Sequence, residues 1–363
     1  MDELSDKLKR LRALASARGL DAILLQRVDS FAWATAGAAG YVNTARTDAE
    51  AVLVITAEGQ YLFTNNIEAV RLEKEENLLP QGWQFRSNPW FESPGAVAKF
   101  TQGMKLGADG FFPGAVDLSS EIARLRAELT PEEDQRFRSL GRLCAQAMDA
   151  AIRSVRPGQS EYEIAALLES ETVRLGVQVT VNLIATDERV FRFRHPLPTA
   201  RKLERYAMLV LCGRRQGLIG SVTRLVHFGR VPDEIRRKAE AAAEVDAVMI
   251  AATRPGRELR EILQCGIEAY ARKGFADEWR LHHQGGPAGY EPREYLATPD
   301  STEKVAVGQV FAWNPSISGV KSEDTILVGK DSNKILTAIP GWPTISVKVD
   351  GHVWERPAIL EIL

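Results

Sequence analysis

The sequence predicts an α/β N-terminal domain over residues 1–128, followed by an α+β C-terminal domain over residues 129–363. Three observations predict it. Helix-period and strand-period segments alternate in the first third of the chain, as a layered α/β unit requires. The remainder instead sets long helical segments against β-hairpin patterns. Between the two stands Thr130-Pro131-Glu132-Glu133, which offers an N-cap, a proline at the first helical position and an acidic first turn.

The elements follow in order. Residues 1–18 place Leu4, Leu8, Leu11 and Leu14 at helical spacing among charges, which reads as an amphipathic helix and not as a secretory signal. Residues 21–26 form a short apolar strand, and "EAVLVITAEGQYLFTN" forms a hairpin around Glu58-Gly59. Helices are expected near 131–155, 160–175, 232–253 and 257–273, the third introduced by Pro232-Asp233-Glu234. Hairpins are expected around Gln216-Gly217 and around Asp350-Gly351, both dipeptides suited to tight turns. The two halves of this region each read as two helices followed by β-rich sequence, which suggests an internal duplication.

Composition bounds the function. A net charge of −2 over 363 residues argues against nucleic acid as a partner. No segment reaches the ~18 consecutive apolar residues of a membrane span, so a cytoplasmic protein is expected. Cys144, Cys212 and Cys265 form no CxxC pair and leave an odd thiol, which indicates neither a disulfide framework nor a zinc cluster.

The chemistry concentrates in "VFAWNPSISGVKSEDTILVG", residues 310–329, where two strands deliver Asn314 and Glu323 to one spot. Trp313, beside Asn314, points away by the period-two rule and is expected in the core, as is Trp33. His195, in "FRHPLPT", is a proton carrier suited to neutral pH, which Arg192 and Arg194 would bias toward its neutral form; alternatively it orders the Pro196-Leu197-Pro198 loop. Arg224 could grip a substrate carboxylate or close a salt bridge inside the sheet. In "HHQGGPAGYEPREY", Gly285-Gly286 allows close backbone approach, and His283 reads as a surface residue.

With "PGQSEYEIA", "FRHPLPT", "GSVTRLVHFG", "GQVFAWNP" and "SEDTILV" in this order, nearly the whole chain resembles the creatinase, aminopeptidase P and Xaa-Pro dipeptidase family. The resemblance implies a pita-bread fold for the C-terminal domain. In the family's metallopeptidases two divalent metals are held by two aspartates, a histidine and two glutamates. Those positions fall here on Val210 or Leu211, on Ser221, on Gly286, on Asn314 and on Glu323. Only Glu323 keeps a metal ligand. One carboxylate supplies about one negative charge against the roughly four that two divalent cations bring, so no metal cofactor is expected.

The resemblance also implies roles. His195 matches the acid-base histidine of creatinase, Glu323 its final glutamate, and His282 a substrate-side histidine of the peptidases. Arg293 falls where the peptidases carry a second catalytic histidine, and Tyr290 is placed on the same wall. His195, Arg224 or Asn314 is expected to satisfy the buried Glu323 carboxylate. The family further implies a homodimer in which residues 31–50 of one subunit cap the partner's site, offering Tyr41, Asn43 and Arg46. Three readings stand open. They are a metal-independent hydrolase of a carbon-nitrogen bond in a small polar or dipeptide-like molecule, a non-catalytic binding protein like the histone chaperones of this fold, and an Xaa-Pro peptidase with a remodelled metal site.

Overall fold

The computed structural model describes residues 2–92 and 95–363; Met1, at the start of the first expected helix, lies outside them. The chain divides into two compact units. The first runs to Glu132 and includes Gln216–Leu218, and the second comprises Glu133–Arg215 and Ile219–Leu363.

The first unit opens with α1 (Glu3–Ala17), whose N-cap Asp2 accepts from the Ser5 N–H. It continues through β1 (Ala22–Arg27), α2 (Val28–Ala34), β2 (Asp48–Thr56), β3 (Gln60–Asn65), α3 (Ala69–Lys74), β4 (Gln84–Asn88), α4 (Ala96–Phe100), β5 (Leu106–Ala108), β6 (Val116–Asp117) and α5 (Ser119–Ala127). The strands form one sheet in the order β4-β3-β2-β1-β5-β6. Strand β1 is antiparallel to β2 and parallel to β5, and β2–β3 is the hairpin around Glu58-Gly59. Trp33 is fully buried. The buried Lys7 ammonium is satisfied by Glu3 Oε1 at 2.5 Å and the Trp33 carbonyl at 2.9 Å.

The second unit carries α6 (Pro131–Ser154), α7 (Glu161–Val173), β7 (Gln178–Thr186), α8 (Glu188–Arg192), β8 (Tyr206–Arg215), β9 (Leu218–Phe228), α9 (Asp233–Ala252) and α10 (Leu259–Arg272). Then follow β10 (Gly285–Ala288), β11 (Val310–Trp313), β12 (Ser316–Ile317), β13 (Val320–Lys321), β14 (Asp324–Leu327), β15 (Lys334–Ile335), β16 (Thr344–Val349), β17 (His352–Pro357) and β18 (Leu360–Ile362). Helix α7 starts at a capping box in which the Ser160 hydroxyl accepts from the Glu163 N–H and the Glu163 carboxylate from the Ser160 N–H. The turns at Gln216-Gly217 and Asp350-Gly351 have positive φ at both central residues, the type I′ geometry that matches strand twist.

Two four-stranded sheets organise this unit, β18-β9-β8-β7 and β10-β11-β14-β15. They meet where Thr223 pairs with Glu323. One core, including Val245, Met249, Ile262, Tyr270, Phe311, Trp313 and Ile326, packs helices α9 and α10 on the sheets. Trp313 is fully buried there, and its Nε1–H donates to Thr253 Oγ1 at 2.9 Å.

A second buried assembly is ionic. Arg224 Nη2 lies 2.9 Å from Asp324 Oδ1, and Arg356 Nη2 lies 2.7 Å from both Asp324 Oδ2 and Asp246 Oδ2. Ser322 Oγ donates to Asp246 at 2.5 Å. Burial pushes the Asp246 carboxyl up to about 6 against the opposing pull of Arg356. Arg356→Met would leave two buried carboxylates facing one guanidinium, and is expected to cost about 3–5 kcal/mol in chemical denaturation. A loss below about 1 kcal/mol, the scale of an exposed pair, would mean that the network contributes nothing to stability.

Candidate active site

Strand periodicity decides which side chains reach the seam between the two sheets. Trp313 faces Asp324 in the β11–β14 ladder, and the Ser322 N–H donates to the Pro315 carbonyl, so Asn314 faces Glu323. The Asn314 N–H in turn donates to the Gln284 carbonyl. From the other sheet, Ser221 and Thr223 turn their side chains to the same place. The Ser221 backbone N–H donates to the Thr325 hydroxyl, which donates to the Ser221 carbonyl, and Thr223 Oγ1 donates to Glu323 Oε2 at 2.5 Å.

Glu323 is 2% exposed, and both its oxygens are engaged. Lys321 Nζ stands 2.8 Å from Oε2, and Arg293 Nη2 donates to Oε1 at 2.9 Å. Burial by itself would raise this carboxyl; Lys321, then Arg293, override it and hold the group at about 2. The expected partners of Glu323 are therefore corrected. Arg224, one position from Thr223, points to the opposite face. There it bonds Asp324 and the Thr337 carbonyl, so it closes a salt bridge inside the sheet and is not placed to bind a substrate. Arg293 Nη1 also donates to Ser221 Oγ at 3.2 Å, so this side chain crosses the site as well as lining it.

Cys212 stands beside Ser221, Sγ to Oγ at 3.3 Å. The two-residue turn at Gln216-Gly217 sets this register, and alternation along β8 sends Leu211 to the other side. Val210 shares the Cys212 face, packed with Leu183 and Leu225 in the apolar core. Burial raises the Cys212 thiol, with Glu323 next in effect, so it stays protonated.

Three histidines converge on the same wall. His195 lies in the loop after α8; His282 and His283 immediately precede β10. One donor nitrogen from each lies within 4.8 Å of the others. His195 Nε2 and His282 Nε2 are 3.1 Å apart, and the His282 and His283 rings stack at 4.5 Å. His283, expected on the surface, is thus partly enclosed. Burial and then Lys321 lower the His195 pKa; the same two causes, in that order, pull His282 down to about 2. Burial followed by Arg293 brings His283 to about 4. The cations acting on His195 are Lys321 and Arg293, whereas Arg194 is taken by Glu278.

Other expected site residues are placed differently. The Tyr290 ring is 2% exposed and its hydroxyl donates to Glu133 Oε1 at 2.6 Å, which commits it to the packing of α6. Tyr41 and Arg46 belong to the first unit, where Arg46 is 61% exposed and stands 3.7 Å from Glu50. Asn314 Oδ1, His282 Nδ1, His283 Nδ1 and Arg293 Nε are buried without a hydrogen-bond partner. At Gly286 an added Cβ would come within 2.3 Å of the Tyr295 carbonyl oxygen, so the backbone leaves no room for a side chain.

Comparison with known proteins places this geometry. Residues 135–330 match the profile of metallopeptidase family M24, and residues 7–127 that of the creatinase/prolidase N-terminal domain. An Xaa-Pro dipeptidase of Pyrococcus horikoshii is 23% identical over 362 residues, covering 93% of this chain and 98% of the relative. The structure of an Xaa-Pro dipeptidase from Bacillus anthracis is similar with a TM-score of 0.80 at 19% identity, covering 99% of this chain and all of that one. The N-terminal domain of the FACT complex subunit SPT16 from Cicer arietinum reaches a TM-score of 0.72 at 14% identity, covering 93% and 97%. At these identities the structural likenesses show the fold alone.

Glu323→Gln would leave Lys321 and Arg293 buried against a neutral amide, and a loss of about 3–5 kcal/mol in denaturant unfolding is expected. A variant as stable as the parent would mean that the carboxylate is not charged in the fold. Stability is also expected to fall with acid. His282 and His283 take up protons in the unfolded chain below about pH 6.5, but in the folded protein only near 2 and 4. Their contribution is therefore complete above pH 6.5 and is lost as pH falls, down to about 4 for His283 and about 2 for His282. The double variant His282→Asn, His283→Asn should flatten the pH dependence of unfolding between pH 6.5 and 4. An unchanged slope would contradict burial of these imidazoles as neutral groups.

Proposed function

Because the chain belongs to metallopeptidase family M24 and carries the family's creatinase/prolidase-type N-terminal domain, we propose that it hydrolyses a carbon-nitrogen bond in a small polar, dipeptide-like molecule without a dinuclear metal centre. The observation that carries this reading is the pairing of Glu323 with Lys321 at 2.8 Å and Arg293 at 2.9 Å. Organic cations neutralise the one carboxylate that the metal-ligand positions retain. The other positions offer an aliphatic side chain, Val210 or Leu211, with the Cys212 thiol beside them, and a hydroxyl, an amide and a glycine too enclosed to accept a Cβ. Such a set does not fit two divalent cations, which need several anionic oxygens.

In this reading His195 moves the proton. A neutral imidazole near pH 7 is ready to accept one, and the loop leaves His195 exposed toward an incoming molecule. His282, at 3.1 Å, holds the ring's orientation. Glu323 anchors the two cations and does not contact a ligand itself. Residues 31–50 serve as the cap of a homodimer, with Arg46 presented to solvent for that purpose.

Elemental analysis of protein purified without chelator is expected to find no stoichiometric manganese, zinc, cobalt or iron. Turnover should be sought among amides, lactams, guanidines and Xaa-Pro dipeptides, and should survive chelation. His195→Ala should lower kcat by about 10²–10⁴ with little effect on stability. Two metals per chain and chelator-sensitive activity would replace this reading by that of a remodelled metallopeptidase. Ligand binding without turnover, indifferent to His195→Ala, would establish the binding-protein reading, which the full occupancy of the Glu323 oxygens favours. Light scattering should give a dimer at micromolar concentration. A monomer, with ligand binding unaffected by Arg46→Ala, would remove the cap.

A further inference from the structure

We propose that Lys321 and Arg293 form an oxyanion site at the seam of the two sheets, so that a place the family uses for cations here takes an anion. The group bound is a carboxylate of the ligand, or the oxyanion that develops on its carbonyl during hydrolysis. The second source rests on the hydrolase reading above; the first does not.

Charge counting carries the inference. Lys321 and Arg293 side chains are 5% and 8% exposed, and each has Glu323 as its ion-pair partner. Two cations thus share one carboxylate. Among the described residues, no other group at the seam forms an ion pair with either cation. Thr223, Ser221 and Asn314 are neutral, the Cys212 thiol is protonated, and His195, His282 and His283 can only add positive charge. Behind the sheet, Arg224 and Arg356 are matched by Asp324 and Asp246, so that network has no anion to lend. A net positive charge held in a buried site is costly, and a bound anion removes the cost.

The donors are suited to the task. A guanidinium fork and an ammonium point charge are the usual partners of an oxyanion. Arg293 Nε, His282 Nδ1 and His283 Nδ1 are buried without partners around the same place, so polar capacity remains for a ligand. Fixed cations at this position would also do what hydrolysis requires electrostatically. His195 Nδ1, the ring nitrogen that His282 leaves unengaged, takes a proton from water as the water oxygen bonds to the carbonyl carbon. The carbonyl π pair moves onto its oxygen, where Lys321 and Arg293 hold the charge. On collapse that pair restores the carbonyl, the C–N bond breaks with its electrons on nitrogen, and the nitrogen takes the proton from His195.

The test is calorimetric titration and thermal shift of the full-length protein at low, matched ionic strength, with sodium acetate, inorganic phosphate and methylphosphonate against sodium chloride. Saturable binding and a rise in Tm are expected with at least one oxyanion and not with chloride. Lys321→Met should weaken it by at least about tenfold, as expected for loss of a charge-assisted bond, and Lys321→Arg should restore it. In oxyanion-free buffer Lys321→Met should melt no lower than the parent, because Glu323 keeps Arg293 and Thr223. Arg293→Gln, which leaves Glu323 with Lys321, is the second variant should the first not fold. Tighter binding of tetrahedral methylphosphonate than of acetate identifies the developing oxyanion as the source; the reverse order identifies a ligand carboxylate. Absence of saturable binding over chloride, or full affinity in both variants, overturns the site. His195→Ala should spare oxyanion binding; saturable oxyanion binding by a parent protein that turns over none of the candidate substrates is failure of the hydrolase reading alone, whereas turnover without such binding is failure of this one.

Discussion

The Glu323 carboxylate, buried where two sheets meet, constrains the rest of the C-terminal unit. Its backbone pairs with Thr223 across the seam, and its side chain takes Thr223, Lys321 and Arg293 from three different segments. A charge with 2% exposure has no water to fall back on, so each of those segments must keep its position. The hairpin β8–β9, the loop before β11 and the β13–β14 turn are thereby tied to one point. On the opposite face Asp324 does the same for Arg224 and Arg356. Adjacent residues on one strand therefore pin both sides of the sheet.

This double anchoring holds both faces of the sheet through side-chain charges. The family fold is maintained by the alternation of helix pairs with sheet strands and by the apolar core around Phe311 and Trp313. None of that needs a metal. What the seam does require is that a buried carboxylate meet a cation, and Lys321 and Arg293 satisfy the requirement with side chains alone. Fold and chemistry are separable in this way because the first depends on burial and register while the second depends on a few terminal atoms. Gly286 adds a steric constraint: with the Tyr295 carbonyl against it, no larger side chain fits without moving backbone.

Some of the site was legible from strand arithmetic. Ser221 and Thr223 share a face, so Arg224 must take the other. The type I′ turn at Gln216-Gly217 sets Cys212 opposite Ser221 and sends Leu211 away. Lys321 is two residues from Glu323 and so shares its face, a signal present in "VKSED". These positions follow from a period of two and a known turn length, without any long-range information.

The sequence by itself determined the longer helices α1, α6, α7, α9 and α10, the hairpin turns and the buried places of Trp33 and Trp313, because those depend on local periodicity, capping and turn conformation. It also determined that Glu323 would need a partner, since a buried charge cannot stand alone. Which partner it takes was decided only in the tertiary structure. Arg293 reaches Glu323 from another strand's approach loop, His282 stacks on His283 while touching His195 from a distant segment, and Tyr290 turns to Glu133 on α6. Each of these contacts joins residues far apart in the chain. Their geometry is set by how the sheets and helices pack, and long flexible side chains such as arginine can meet several carboxylates until that packing selects one.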